Sequence, residues 1–363
     1  MAAFERAIQE VVRPGDVVLD LGAGTGILGM LACRAGARRV YSVDRGAIIG
    51  LARELCKENG YAGRVCHVKG LSTRLELPEP VDVVVADQIG GFGIDAGVVQ
   101  YFRDAALRLL KPGGRSIPRR LDLFVAPIES PELRGQVDFW TQPASGFVFS
   151  PAARLATNLM YTADLLPNHL LSNPVMTLSL APAQPGEDTF TMEACTSAAR
   201  DGELHGIGGW FSAQLSEDVT ITNSPLCEHR INRRNMFLPA GKPVPLQQGD
   251  RVRIRITMTP GREMLSWDIE VLGRQGAVRK ARCRHSSFNG MFLCEEDVRR
   301  TQPNWAPQLS AQGEASRYTL DLTDGKHSLA EIEQEVYRRY AESFRSPTEA
   351  AELVSQIILR YAQ

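Results

Sequence analysis

The sequence predicts a protein of the α/β class with three parts: a parallel sheet covered by helices, an antiparallel β-barrel, and a small α-rich module. Apolar strands alternate with helices from residue 17 to about 118, short alternating strands follow to about 283, and the composition changes near Glu295. We therefore divide the 363-residue chain into 1–118, 119–294 and 295–363.

The first part begins with a short helix near residues 4–13, followed by the apolar strand Val17–Leu21. Further strands are predicted near residues 40–44, 65–68 and 81–86, with helices between them. An uninterrupted apolar run is typical of a strand that is buried on both faces. Alternating strands and helices then indicate a parallel sheet with helices on both sides.

The other two parts carry weaker patterns. Between the short strands of the middle part, Leu155–Leu170 is predicted to be helical. In the last part, Tyr318–Leu322 is predicted to be a short strand, and two helices follow near 328–340 and 347–362. Ser328 with Glu331 three residues later is a capping box for the first of these helices.

Charge and cysteine content exclude several classes of protein. Lys and Arg total 41 against 42 Asp and Glu, so a strongly cationic nucleic-acid-binding protein is excluded. The seven cysteines form no C-x-x-C pair, which argues against a zinc site and indicates reduced thiols in a cytoplasmic protein. No run of 18 apolar residues and no signal-peptide pattern is present, so we expect no membrane span.

The residues that carry chemistry lie in the turn after the first strand. Asp20 is followed by Gly22, Gly24 and Gly26, and Asp44 ends the next strand. Glycines at this turn let a ligand approach the backbone closely, and an acid about 20 residues on can bind both hydroxyls of a ribose. Ile27 stands where the dinucleotide fingerprint G-x-G-x-x-G needs glycine, so this turn does not fit a dinucleotide-binding site. The alternative to a ligand site is a turn with a purely structural role.

This turn resembles motif I of the class I methyltransferases that use S-adenosylmethionine (SAM), which have a Rossmann-like domain. Residues 17–130 are similar to the catalytic domain of the protein arginine methyltransferases. The similarity is carried by the loop Val85–Val98 and the segment Leu110–Pro118. Residues 121–290 would be that family's β-barrel, and 151–170 would be its dimerisation arm. The resemblance implies SAM as cofactor, a peptide or protein substrate, and a homodimer.

The resemblance also assigns site residues. Asp20, Gly22, Gly24, Gly26 and Asp44 would bind SAM, and Ser72 and Thr73 stand where the family has an adenine-contacting glutamate. Two glutamates of the family's double-E loop grip the substrate guanidinium.

In that loop this sequence departs from the family. Asp87 replaces the first glutamate and Ala96 the second, with Asp95 beside it. His229 is the counterpart of the histidine in the family's Thr-His-Trp loop. We take Asp87, Asp95 and His229 as candidate catalytic residues, with the structural alternatives of a capped loop for the acids and a surface residue for the histidine.

The last part resembles the winged-helix modules of the PqqD-like peptide chaperones, on the Asp324-Gly325 turn and the helix carrying Leu329 and Ile332. Such modules bind a peptide by adding a strand to a sheet edge. A helical appendage without a partner is the alternative.

The function predicted is SAM-dependent methylation of a peptide or protein side chain, with arginine as the family's acceptor. Two alternatives stay open: a non-arginine acceptor in peptide maturation, and a catalytically silent SAM- or peptide-binding partner.

Overall fold

The computed structural model describes residues 1–143, 145–262, 264–276 and 278–362. Ala144, Glu263 and Ala277 of the predicted barrel, and Gln363 of the predicted module, lie outside these ranges. The chain forms two compact units, residues 1–292 and 293–363. All seven cysteines are free thiols. Within the described ranges, every helix is too short or too polar to cross a membrane.

A parallel five-stranded sheet forms the amino-terminal half of the first unit. Its strands are β1 (Val17–Leu21), β2 (Arg39–Asp44), β3 (Val65–Lys69), β4 (Val81–Val85) and β5 (Leu110–Ile117). Their spatial order is β3-β2-β1-β4-β5, and every neighbouring pair is parallel. All five residues of β1 are buried, as predicted from its uninterrupted apolar run.

Four helices accompany this sheet: α1 (Ala2–Val11), α2 (Ile27–Arg34), α3 (Ile48–Glu58) and α4 (Val98–Arg108). The strand order reverses between β1 and β4, where connections leave in opposite directions. At such a point the carboxyl ends of the strands open a crevice in which α/β proteins bind ligands. The fold therefore predicts a site beside the ends of β1, β2 and β4.

The chain then passes directly into two antiparallel sheets. The strands are β6 (Arg120–Ile128), β7 (Tyr161–Ala163), β8 (Val175–Leu180), β9 (Phe190–Ser197), β10 (Gly202–Gln214), β11 (Thr220–Thr222), β12 (Asn235–Leu246), β13 (Arg251–Thr259), β14 (Met264–Leu272) and β15 (Arg279–Ser286). One sheet has the order β7-β12-β10-β6-β8 with β11 on β10, and the other has the order β15-β14-β13-β9.

The predicted barrel is thus present as antiparallel strands but not as a closed ladder in the described ranges. Side chains rather than backbone pairs join the two sheets: the indole of Trp267 on β14 donates a 2.8 Å hydrogen bond to the carbonyl of Pro239 on β12. Both residues are buried, and the inner faces share one core with the parallel sheet. Apolar burial between two sheets replaces the strand pairing that closure would need.

The predicted helix over Leu155–Leu170 is wrong beyond its first residues. The structure has α5 (Pro131–Asp138) and α6 (Ser150–Ala156), and the chain after α6 continues into β7. The side chains of Thr157 and Asn158 each donate to the carbonyl of Arg154, which satisfies the end of α6. Pairing of Tyr161–Ala163 with β12 then outweighs the local helical pattern.

In its described residues the second unit consists of helices and the loops between them. It contains α7 (Glu295–Arg300), α8 (Ala311–Leu322), α9 (Leu329–Arg339) and α10 (Pro347–Tyr361). The strand predicted at Tyr318–Leu322 is wrong, because these residues form the last turns of α8. Ala315 and Thr319 are buried one helical turn apart, and Tyr318 and Leu322 pack against the same core.

This correction removes the basis of the winged-helix and PqqD-like interpretation. Residues 293–362 contain no strand to which a peptide could add. The capping box at Ser328 is confirmed: its hydroxyl accepts from the Glu331 amide, and the Glu331 carboxylate accepts from the Ser328 amide. The small core holds Ala315, Ile332, Val336 and Val354.

Candidate active site

The turn after β1 is shaped by three glycines in the left-handed backbone region. Gly22, Gly24 and Gly26 have φ angles of +65°, +54° and +77°, which other residues adopt only with strain. A side chain at Gly22 would overlap the Gln88 side chain, whereas one at Gly24 would meet no atom within 4 Å. The turn is therefore tight on one side and open to a ligand on the other.

Asp44 at the end of β2 holds this turn in place. Its Oδ2 accepts a 3.0 Å hydrogen bond from the Gly24 amide, and its Oδ1 accepts a 2.7 Å bond from the Gly46 amide. A carboxylate oxygen can accept more than one hydrogen bond, so both oxygens retain capacity for ligand hydroxyls. The structure brings together the glycines and the acid predicted to bind the cofactor.

Asp20, the other acid of the motif, faces the interior. Its Oδ2 accepts hydrogen bonds from the Gly29 amide (3.0 Å) and the Ser42 hydroxyl (3.3 Å). Its Oδ1 is buried and has no hydrogen-bond partner within the described ranges. Burial is the largest cause that raises the pKa of Asp20 from its ordinary value of 3.8 to about 7. Asp20 therefore ties α2 to the sheet from within.

A cavity of about 320 Å³ lies at the carboxyl ends of these strands. It is lined by Gly22, Val43, Asp44, Arg45, Gly70, Leu71, Ser72, Gln88, Ala96 and Tyr101. Ser72 is a lining residue, and Thr73, the other predicted adenine contact, is not among them. An open glycine turn, a carboxylate with spare acceptor capacity and this adjoining space fit the ribose and the chain of a nucleoside cofactor such as SAM.

The loop after β4 carries the predicted acceptor residues. Asp95 folds back on its own loop: its oxygens accept from the amides of Gly91 (3.0 Å) and Phe92 (2.9 Å). Ala96 lines the cavity, and its methyl group offers no carboxylate there. Of the two acids predicted on this loop, Asp95 binds the loop's backbone and Asp87 does not.

Asp87 already holds a guanidinium group, that of Arg233. Nη2 of Arg233 lies 3.1 Å from Oδ1 and 3.3 Å from Oδ2 of Asp87, while Nη1 donates to the carbonyl of Ile89. The two side chains are 27% and 31% exposed. Sequence reasoning missed Arg233 because no local motif marks it, and the fold brings it across 146 positions to Asp87.

His229 lies in the turn between β11 and β12 and is exposed. In the described ranges its side chain makes no hydrogen bond or ion pair that would orient it, whereas the neighbouring Arg230 donates to the carbonyl of Leu165. The structure therefore gives His229 no positioned partner, and its catalytic role stays a prediction.

Comparison with known proteins places the chain in a family. The model of the ribosomal protein L11 methyltransferases (PrmA) matches residues 5–118, and that of the arginine methyltransferase oligomerization subdomain matches residues 119–271. The arginine N(omega)-methyltransferase of Streptomyces achromogenes subsp. streptozoticus is 30% identical over 267 residues, 70% of this chain and 71% of the relative. The chain belongs to the arginine methyltransferase family. It is accordingly an enzyme of the class that uses SAM as methyl donor.

Other members of the arginine methyltransferase family match over similar lengths. Protein arginine N-methyltransferase 6 of Danio rerio is 27% identical over 263 residues, 69% of this chain and 75% of its own. A chain of the Trypanosoma brucei PRMT1 enzyme–prozyme heterotetramer with AdoHcy shares the fold with a TM-score of 0.70, at 22% identity, over 78% of this chain and 93% of its own. Arabidopsis thaliana protein arginine methyltransferase 10 does so with a TM-score of 0.68 at 21% identity, over 79% and 94%.

Proposed function

We propose that this methyltransferase transfers the methyl group of SAM to a guanidinium nitrogen of an arginine side chain in a peptide or protein. One observation carries the proposal: the Asp87 carboxylate, next to the cavity residue Gln88, binds a guanidinium group with both oxygens. A site that holds the Arg233 guanidinium has the charge and the geometry to hold that of a substrate.

SAM supplies an activated sulfonium methyl group, so the protein has to bind SAM, orient the acceptor nitrogen toward this methyl group and exclude water from the site. Asp44 and the open side of Gly24 would hold the ribose and the chain of the cofactor. The Asp87 carboxylate would accept N–H hydrogen bonds from the acceptor guanidinium and fix its plane. As the nitrogen–methyl bond forms and the sulfonium–methyl bond breaks, S-adenosylhomocysteine would leave, and the acceptor nitrogen would lose one proton, for which Asp87 is the nearby base. Because a guanidinium is always charged, a carboxylate at this point also stabilises the bound cation.

A non-arginine acceptor is the second candidate, and Ala96 favours it. The resemblance places a glutamate at this position, and a methyl group cannot replace its charge. A substrate side chain that needs one carboxylate to accept its hydrogen bond, rather than two carboxylates, would fit the same loop.

Methyl-tritiated SAM distinguishes these functions. The purified full-length protein is incubated with extract of its source cells, the labelled macromolecules are hydrolysed, and the tritiated amino acid is identified. We expect methylarginine. Label in another residue would replace the arginine proposal with the second candidate, and no label in the presence of measurable SAM binding would contradict both.

We also propose a homodimer through the segment around α6, the place predicted for the dimerisation arm. Phe139, Phe147 and Val148 are exposed near α6, and exposed apolar clusters mark contact surfaces. The match of residues 119–271 to an oligomerization subdomain supports this proposal. Sedimentation velocity over a range of concentrations tests it: a single monomeric species throughout would contradict it.

A further inference from the structure

We propose that Arg233 is an internal competitor for the acceptor site: its guanidinium occupies Asp87 until the arginine of a substrate displaces it. The inference rests on the proposed function and concerns the selectivity of the same site. Arg233 is a specificity-determining residue in this scheme, because it binds the carboxylate that the acceptor needs.

The backbone next to Arg233 is fixed against the loop that carries Asp87. The Asn223 side chain donates to the Gly91 carbonyl (2.8 Å) and to the Arg234 carbonyl (3.2 Å), joining the two segments. A side chain at Gly91 would come within 2.7 Å of the Arg234 carbonyl oxygen, so the segments are in close contact. Arg233 therefore projects toward Asp87 from an anchored position.

The guanidinium itself is not locked. Arg233 and Asp87 are about equally exposed, at 27% and 31%, so the side chain can rotate into solvent without opening the core. Of its five N–H groups, one is directed at the Ile89 carbonyl and one at Asp87, so the remaining three are free to be hydrated. A buried pair such as Lys280 with Asp250, whose carboxylate is 1% exposed, could not separate in this way.

Charge balance explains why the competition matters. Asp87 is the one carboxylate of the predicted acceptor positions that does not bind its own loop, since Asp95 accepts two loop amides and Ala96 is neutral. An incoming guanidinium would exchange one ion pair for another, and the exchange yields little net free energy. A substrate therefore needs further contacts outside the site to displace Arg233. The site selects arginine within a binding sequence over isolated arginine.

The test uses the full-length protein and a glycine-rich peptide with a single arginine as the probe. Arg233→Gln removes the competing charge, and Arg234→Gln is the matched control, because Arg234 pairs with Asp164 in an exposed position. We expect Arg233→Gln to lower KM for the peptide about five- to tenfold, with kcat and SAM affinity unchanged. Arg234→Gln should leave KM as in the wild type.

A KM that is unchanged or higher in a folded Arg233→Gln protein overturns the inference and makes Arg233 a permanent support of Asp87. If that variant does not fold, the side-chain Nη–H resonances of Arg233 are followed by NMR in the wild type saturated with S-adenosylhomocysteine, because Nη1 and Nη2 make the contacts with Ile89 and Asp87. Addition of the peptide should shift the Nη2 resonance toward the position of a hydrated arginine, and an unmoved Nη2 resonance while the peptide binds also overturns the inference.

The two proposals fail in different ways. If the wild type makes methylarginine and Arg233→Gln has the same KM, the internal competitor is wrong and the proposed function stands. If both proteins bind SAM and label only a residue other than arginine, the proposed function fails and the competitor with it.

Discussion

The cofactor side of the site, at the ends of β1 and β2, and the acceptor side, on the loop after β4, share one edge of the parallel sheet but are built differently. On the cofactor side, three left-handed glycines and Asp44 lie within 23 residues of each other, and backbone amides hold the carboxylate. On the acceptor side, Asp87 is bound by Arg233, which comes from the antiparallel part of the fold. The cofactor side keeps the glycine turn and the acid of the family pattern, although Ser72 and Thr73 stand in place of its adenine-contacting glutamate, whereas the acceptor side has neither of its two glutamates. The difference shows that short-range backbone contacts build one side of the site and a long-range ion pair builds the other.

The strongest test of the comparison removes the carboxylate of the cofactor side. Asp44→Ala should weaken SAM binding by about 1.5–3 kcal/mol, because charged hydrogen bonds to the cofactor are lost. The loss of the bonds to Gly24 and Gly46 adds to this by loosening the turn. Isothermal titration calorimetry measures the effect, with the exposed Glu58→Gln on α3 as control. Unchanged affinity for SAM would contradict the assignment of Asp44 to the cofactor site.

The corresponding change on the acceptor side should lower kcat/KM for the peptide substrate and leave SAM binding unchanged. Asp87→Asn keeps the shape of the side chain but removes its charge, and we expect kcat/KM for an arginine peptide to fall about 10- to 100-fold. SAM affinity should stay as in the wild type. Asp164→Asn is the matched control, since it breaks the exposed ion pair with Arg234. A variant with full turnover would show that Asp87 is only a loop residue.

Restoring the family pattern sharpens the comparison from the other direction. Asp87→Glu together with Ala96→Glu places two glutamates on the loop, and Ala96 already lines the cavity. Arginine methylation should increase about tenfold in kcat/KM, because a second carboxylate adds a charged hydrogen bond to the guanidinium. Steady-state rates on the arginine peptide measure the gain. A decrease would mean that the loop has adapted to a different acceptor.

The last prediction concerns stability rather than activity. The folded protein holds the Asp20 proton up to a pKa of about 7, against an ordinary value of 3.8. Between these values the unfolded chain releases a proton that the folded chain retains, so stability falls as pH rises, by at most about 1.4 kcal/mol per pH unit. Above about 7 the loss is complete. Asp20→Asn should remove this slope, which urea unfolding across this pH range measures; an identical slope in both proteins would contradict the assignment.

Local patterns in the sequence predicted most of the first 118 residues and the cofactor side of the cavity. The apolar run of β1, the glycine turn and Asp44 depend on residues close together in the chain, so their structure can be inferred from spacing. The same reasoning was wrong for Tyr318–Leu322 and for most of Leu155–Leu170. Short apolar segments fit a helix or a strand equally well, and the packing partner decides between them.

The sequence by itself determined that the chain has a parallel sheet with an open glycine turn, and it identified Asp87 and Ala96 as the unusual positions of the acceptor loop. Only the tertiary structure decided how Asp87 and Asp95 are engaged. Asp95 binds the amides of Gly91 and Phe92, and Asp87 binds Arg233 from 146 positions away. The physical reason is that an ion pair depends on distance in space. No periodicity or spacing along the chain encodes which charge the fold will bring to a given carboxylate.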